Sequence, residues 1–169
     1  MARILAADPS TLVAKPGVRP VYTPQERMRR DSTRWTLVQG VLAPLQFVVF
    51  VVSLGLILRY VWTGEGFGAA ALSVVIKTVV LYLIMITGAI WEKVVFGRYL
   101  FAPSFFWEDV FSMWVIALHT ACLAAWILDD RWLGADAQMA LALAAYATYL
   151  VNAAQFLLKL RRARLEAKA

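Results

Sequence analysis

Residues 91–119 read WEKVVFGRYLFAPSFFWEDVFSMWVIALH and join two strongly apolar segments of the chain. The stretch holds three carboxylates, two cations and the single histidine of the sequence: Glu92, Glu108, Asp109, Lys93, Arg98 and His119. Most of the remaining chain is apolar. We therefore expect any acid–base chemistry of this protein to be carried by this stretch.

The composition on either side of the stretch indicates a membrane protein of one domain. Hydrophobic residues make up 62% of the 169 residues, whereas a soluble domain has about 45–50% apolar residues. The net charge of +6 comes from Lys and Arg at the two ends rather than along one face, so it does not indicate nucleic-acid binding. The lone Cys122 lies in an apolar run and predicts a core position, without a disulfide or cysteine-bound metal cluster.

Four apolar segments predict four transmembrane helices, at about residues 35–62, 67–90, 105–128 and 137–158. Each exceeds the roughly 20 residues that cross a hydrocarbon core of about 30 Å. Their backbone groups must bond internally, because lipid offers no partners, so the segments must be helical. The sequence predicts an all-α integral membrane protein, a four-helix bundle within residues 23–160, with a kink at Pro44.

Basic residues flank the bundle and predict its orientation. Residues 1–22 are expected to form a flexible basic tail, and residues 161–169 a second basic tail. Thr23-Pro24-Gln25-Glu26 reads as a capping box with proline at the first helical position, which predicts a surface helix from Pro24. Fourteen of the seventeen Lys and Arg residues lie at the two ends or in the 91–104 loop. The positive-inside rule then places both termini in the cytoplasm.

Two ionisable residues are expected deep in the membrane. Lys77 and His119 each lie about 15 Å from a membrane surface at 1.5 Å per residue, on neighbouring helices. Ionisable groups at that depth are functional candidates by default. At 100° per residue, Glu108, Ser112 and His119 share one face of the third span, with Asp109 to its side.

The first and fourth spans carry further polar lines: Gln39, Gln46 and Ser53, and Thr148, Asn152 and Gln155. For Gln39, Gln46, Ser53 and Thr148 we favour hydrogen bonds between helices of the bundle. Asn152 and Gln155 fit bundle packing and substrate binding equally well.

The three carboxylates near the 91–104 loop allow two interpretations. Acidic residues in the first turn of a helix stabilise its positive end without any further function. Alternatively, they form a half-buried acidic pocket ringed by aromatic residues: Trp91, Phe101, Phe105, Phe106 and Trp107. A single histidine rules out a haem held by two histidines. The sequence has no Walker, GxGxxG, HExxH or GxSxG motif, so no protein metal or nucleotide site is predicted.

Three segments give the sequence a specific resemblance. They read TRWTLVQGVLAPLQF, ITGAIWEKVVFGRYLFAPSFFWEDVFSMWVIALHTA and AAYATYLVNAAQFLLKLR. They resemble the 3-vinyl bacteriochlorophyllide hydratases, also described as chlorophyllide 3-vinyl hydratases, over about Tyr22 to Leu160. These are small integral membrane enzymes of bacteriochlorophyll biosynthesis.

The resemblance implies a hydro-lyase that adds water to the C3 vinyl group of chlorophyllide a or 3-vinyl bacteriochlorophyllide a. The product carries a 3-(1-hydroxyethyl) group, which a separate dehydrogenase oxidises to 3-acetyl. No cofactor is implied, and magnesium arrives with the substrate. The expected location is a bacterial inner membrane, cytoplasmic or intracytoplasmic and photosynthetic. The expected partners are the pigment, the lipid bilayer and other enzymes of the pathway, with no nucleic acid.

Roles for individual residues follow from chemistry. We expect Glu108 and Asp109 to share proton donation and water activation, with Glu92 as an alternate. His119 is a candidate acid–base or an axial ligand of the substrate magnesium. We expect Arg98 or Lys93 at the surface to bind the propionate of the substrate. If the vinyl group faces the loop instead, Lys77 is the expected partner of the propionate. Trp107, Asn152 and Gln155 complete the predicted substrate-binding set.

Two other classes of function remain open on sequence grounds. A non-catalytic pigment-binding or assembly protein would use the same aromatic residues and His119. An ion or proton transporter would use Lys77 and the acidic residues, but the chain has no inverted repeat.

Overall fold

The computed structural model describes residues 20–128 and 133–167 and has five α-helices in that part of the chain. They are α1 (Pro24–Ser32), α2 (Arg34–Thr63), α3 (Phe67–Phe96), α4 (Phe106–Ile127) and α5 (Ala135–Glu166). Helices α2 to α5 are each long and apolar enough to cross a membrane, which confirms the four predicted spans. The chain is an all-helical, multi-pass membrane protein.

Some of the sequence predictions fall outside the described residues. The sequence predicts a flexible tail over residues 1–22, and residues 1–19 of it are outside the described part of the chain. The charges counted at positions 129–131 and 168 lie there as well.

Helix α1 begins at the predicted capping box. Thr23 Oγ1 accepts the Glu26 N–H at 3.3 Å, and the Glu26 carboxylate accepts the Thr23 N–H at 2.8 Å. From its last turn, Arg29 donates to the Val95 carbonyl oxygen at 3.2 Å. The short helix is therefore docked on the end of α3.

Two spans are longer than the sequence predicted. Helix α3 continues from the expected end at residue 90 to Phe96, and α5 continues from 158 to Glu166. Nothing breaks α3 before Gly97, which takes the left-handed conformation at φ 85°. In α5 the Arg162–Glu166 ion pair at 2.9 Å supports the last turn, inside the segment predicted as a tail. Thirty residues of α3 span about 45 Å, more than the hydrocarbon core, so its polar end rises above it.

The helices pack as two hairpins, α2 with α3 and α4 with α5, joined mainly through α3 and α4. Ser53 hydrogen-bonds to Ser73 at 2.6 Å and fixes the register of α2 on α3. Asn152 Nδ2 donates to Ser112 Oγ at 2.9 Å, and this bond fixes the register of α5 on α4. The main core combines large side chains with alanines that let the helices approach closely: Phe50, Ile57, Tyr146, Ala70, Ala71, Ala142 and Ala145. Helix α2 runs through Pro44 as one helix.

The predicted hydrogen bonds between helices are partly correct. Gln39 Nε2 donates to Thr87 Oγ1 at 2.8 Å, and Ser53 bonds both Ser73 and Tyr146, as predicted. The prediction is wrong for Thr148, which bonds back to a carbonyl of its own helix. It is also wrong for Gln46, whose buried amide atoms have no partner within the described chain. Cys122 is buried in the main core.

A second core lies at the end of the bundle where both chain ends meet. It consists of Val21, Tyr22, Val95, Phe105 and Ala163. The Val21 N–H donates to Glu166 Oε2 at 2.9 Å, which ties the N-terminal segment to the end of α5. Burial raises the pKa of the Tyr22 phenol to about 12, so this ring stays neutral as it stacks on Phe96 at 5.8 Å. This core supports the loop between α3 and α4.

Candidate active site

Two carboxyl groups meet where α3 gives way to α4. Glu92 near the end of α3 and Asp109 in the first turn of α4 face the same loop, and each accepts a backbone N–H from it. They are 5% and 2% exposed. Two neighbouring buried carboxyl groups disfavour double ionisation, because each negative charge repels the other and little water screens them. We therefore call Glu92 and Asp109 the proton-sharing pair.

Two successive backbone N–H groups of the α3–α4 loop hold this pair. The Phe101 N–H donates to Asp109 Oδ2 at 2.7 Å, and the Ala102 N–H donates to Glu92 Oε2 at 3.3 Å. Phe101 has φ 59°, a left-handed conformation that bulky residues rarely adopt. Consecutive N–H groups in such a turn form anion-binding concavities, and backbone strain of this kind clusters at active sites.

Glu108 has a different environment from its neighbour Asp109. Its Oε1 lies 2.9 Å from Lys159 Nζ, and Lys159 also donates to the Ser104 carbonyl oxygen. Glu108 and Lys159 thus form an ion pair between α4 and α5. The other oxygen, Oε2, is buried and has no hydrogen-bond partner among the described residues. The site thus combines a proton-sharing pair with a separate carboxylate.

Glu108 also lines a groove between α4 and α5. The groove has a volume of about 270 Å³ and is lined by Glu108, Gln155, Leu158, Lys159 and Arg162. Gln155 Oε1, like Glu108 Oε2, is buried without a partner in the described part of the chain.

Sequence reasoning missed Lys159 as a site residue. It was counted among the tail charges, because the predicted fourth span ended at residue 158. Lys159 lies seven residues after Asn152 and four after Gln155, which places all three on one helical face. That periodicity was the signal that could have identified it.

One turn further along α4, Ser112 bonds to Asn152. Glu108, Ser112 and His119 are all buried, as their common face predicted. Asn152 therefore links α4 and α5, while its Oδ1 has no partner among the described residues.

Lys77 and His119 form a second group, deep in the bundle and fully buried. The His119 ring stacks on Tyr146 with 5.7 Å between centroids, and Lys77 Nζ lies 5.9 Å from the same ring and 3.7 Å from that of Tyr149. His119 Nδ1 bonds the Val115 carbonyl oxygen at 2.8 Å, so Nδ1 carries the proton and Nε2 the lone pair. Eleven residues, about 16 Å of helix, separate His119 from Glu108. A macrocycle would reach Nε2 only if the helices separated.

The aromatic ring predicted around the carboxylates is divided in two. Phe101, Phe106 and Trp107 form an outward cluster, with centroid distances of 5.8 and 5.4 Å between successive rings. Trp107 is 67% exposed, away from the buried polar groups. Trp91 and Phe105 pack inward on each other at 5.7 Å. Arg98 is exposed on the same loop.

Within residues 20–128 and 133–167, no three His, Cys, Asp or Glu side chains are grouped so as to hold a metal ion.

Four membrane-spanning helices, a proton-sharing carboxyl pair and an ion-paired carboxylate define a multi-pass membrane protein equipped for acid–base chemistry. The chain belongs to the 2-vinyl bacteriochlorophyllide hydratase (BCHF) family, whose model matches residues 22–162. This confirms the resemblance drawn from the sequence.

Two relatives carry the name 2-vinyl bacteriochlorophyllide hydratase. That of Cereibacter sphaeroides is 65% identical over 151 residues, covering 89% of this chain and 92% of the relative. That of Rhodobacter capsulatus is 63% identical over 152 residues, covering 90% of this chain and 87% of the relative. No solved structure matches the chain.

Proposed function

We propose that this protein is a hydratase that adds water to the vinyl group of a bacteriochlorophyll precursor and leaves a 1-hydroxyethyl group. The family and both relatives are named for hydration of that vinyl group. Position 2 of those names and position 3 used above denote the same substituent in two numbering schemes of the macrocycle. The observation that carries the proposal is the Glu92–Asp109 pair, a buried proton source in a chain of this family.

The reaction needs a proton on the terminal vinyl carbon before water adds. Protonation leaves a positive charge on the carbon next to the macrocycle, which the ring delocalises. We assign the proton to the Glu92–Asp109 pair, because a carboxyl group must carry a proton to act as a general acid. Glu108 is ion-paired with Lys159, so it is suited to stabilise the cation and to take a proton from water. The sequence prediction had Glu92 only as an alternate, and here it forms the acid together with Asp109. Glu108, which was predicted to share both roles, keeps only that of the base.

The outward cluster of Phe101, Phe106 and Trp107 supplies a surface for the flat macrocycle. Aromatic rings stack with such planes at offsets of about 4.5–7 Å. Phe101 joins the two functions, since its ring belongs to this cluster and its N–H binds Asp109. A macrocycle lying along the membrane surface brings the vinyl group to the pair and the propionate to Arg98. The fully buried Lys77 is then not needed for the propionate.

Hydration changes no overall oxidation state, so the proposal calls for no redox cofactor, and the substrate brings its own magnesium. We place the protein in a bacterial inner membrane, cytoplasmic or intracytoplasmic and photosynthetic, with both termini in the cytoplasm. The excess of Lys and Arg at the two ends supports this orientation. The lipid bilayer, and other enzymes of the pathway such as the one that oxidises the hydroxyethyl group, are its proposed partners.

The test uses the purified full chain in lipid nanodiscs, with a vinyl-bearing bacteriochlorophyllide in water enriched in ¹⁸O. We expect a hydroxyethyl product that carries the label, detected by mass spectrometry. Pigment binding without any labelled product would instead identify a non-catalytic pigment carrier.

A further inference from the structure

Two buried oxygens beside the groove between α4 and α5 both need a hydrogen-bond donor. Glu108 Oε2 and Gln155 Oε1 are buried without a partner in the described residues, and both side chains line the groove. Glu108 is 7% exposed, so bulk solvent does not hydrate its carboxylate freely. Buried polar groups are satisfied by protein or by ordered water in nearly all native structures.

The chemistry of the two oxygens selects the ligand. Both are acceptors, so an anion would be repelled, and the cations of the groove already pair with carboxylates. Lys159 pairs with Glu108, and Arg162 with Glu166. A water molecule has two O–H groups and can donate one to each oxygen. The groove has polar side chains among its lining residues and, at about 270 Å³, has room for a water molecule.

We propose that this groove binds the water consumed in the hydration, held between Glu108 Oε2 and Gln155 Oε1. The inference rests on the proposed function and adds the binding place of its second substrate. Glu108 directly precedes Asp109 in the chain, so the groove lies next to the proton-sharing pair. The proton therefore reaches the vinyl group from the α3 side of α4, and the water reaches it from the α5 side.

The step balances without any further reactant. The Glu92–Asp109 pair gives its proton to the terminal vinyl carbon as the double bond opens. The water oxygen forms a bond to the cationic carbon, and the water loses one proton to Glu108 Oε2. That proton returns to the pair and resets the site.

Leu158 and Leu157 provide a matched comparison. Both are exposed, at 65% and 67%, but only Leu158 lines the groove. The experiment supplies methanol as a competing nucleophile and measures the ratio of methyl ether to alcohol on the pigment. This ratio reports on the site that binds the nucleophile and does not depend on the amount of folded enzyme.

We expect Leu158→Ala to raise the methyl ether to alcohol ratio by about tenfold, the effect of changing a pocket by a few methyl groups. Leu157→Ala should leave the ratio at the wild-type value. Gln155→Leu should lower kcat about tenfold through one lost hydrogen bond, with the KM for pigment unchanged. An equal ratio in wild type and Leu158→Ala would overturn the proposal that the groove binds the water. A wild-type protein that forms no alcohol would instead overturn the proposed function.

Discussion

Lys159 Nζ lies 2.9 Å from Glu108 Oε1, so a cation near the end of α5 pairs with a buried carboxylate in the first turn of α4. The Glu108 side chain is 9% exposed and that of Lys159 is 22% exposed. Glu108 is therefore ion-paired to α5, whereas its neighbour Asp109 bonds to the loop between α3 and α4.

Replacing Lys159 by Met should leave a buried charge unpaired. We expect a loss of about 2 kcal/mol in the free energy of unfolding, between the values for surface and buried pairs. Hydration should also fall, because the proposed base loses the cation that pairs with it. Thermal unfolding in detergent and the hydration rate measure the two effects. Arg161→Met is the control, because Arg161 is an exposed cation on the same helix and does not line the groove. Wild-type stability and rate in Lys159→Met would contradict the assignment.

The Glu92–Asp109 pair should supply the proton. Glu92→Gln and Asp109→Asn keep an acceptor for the loop N–H groups but remove the shared proton. We expect each to lower kcat by about 10²–10⁴, the usual contribution of a positioned acid, while pigment binding persists. Steady-state kinetics and a pigment-binding titration separate the two. The control is Glu65→Gln, an exposed carboxyl in the turn between α2 and α3. Full activity in both amide variants would remove the pair from the mechanism.

Two substitutions of Phe101 should separate the effect of its left-handed backbone from the effect of its ring. Phe101→Ala and Phe101→Gly both lose the ring, but only Gly takes φ 59° without strain. We expect the Gly variant to be more stable than the Ala variant by about 1 kcal/mol. Both should raise the KM for pigment, because each loses one ring of the outward cluster. Equal stability of the two variants would argue against backbone strain at this position.

His119 should not be the proton donor. Its ring is fully buried on Tyr146, about 16 Å along α4 from Glu108. We expect His119→Phe to keep the ring packing and the wild-type kcat. A pH–rate profile checks whether any titration disappears with the imidazole. A large drop in kcat with intact pigment binding would return the acid–base role to His119.

Gln46 and Gln39 should respond oppositely to the same substitution. Gln46→Leu removes two buried polar atoms that have no partner in the described chain, so we expect stability to rise by about 1 kcal/mol. Gln39→Leu breaks the bond to Thr87 and should lower stability by a similar amount, about 1 kcal/mol. Unfolding free energies of both variants test this. A destabilised Gln46→Leu would indicate that the amide has a polar role in the bundle.

Much of the candidate site could be predicted from the stretch between Trp91 and His119. Glu92, Glu108 and Asp109 were identified as candidates there, and the structure brings all three to one end of the bundle. Their division into a pair and a single carboxylate was not visible, because it depends on Lys159. That residue lies fifty-one positions after Glu108, and only the packing of α5 on α4 brings the two charges into contact.

The sequence by itself determined the membrane class, the four spans, the capping box at Thr23 and the family. The first three follow from hydropathy, helix length and local hydrogen-bond chemistry, which act over a few turns of one helix, and the family follows from the resemblance of three sequence segments. Only the tertiary structure decided which carboxylate shares a proton, which is ion-paired, and which polar side chains of the spans find partners. Those outcomes depend on the rotation and register of each helix against its neighbours, and the packing of side chains from distant parts of the chain sets both.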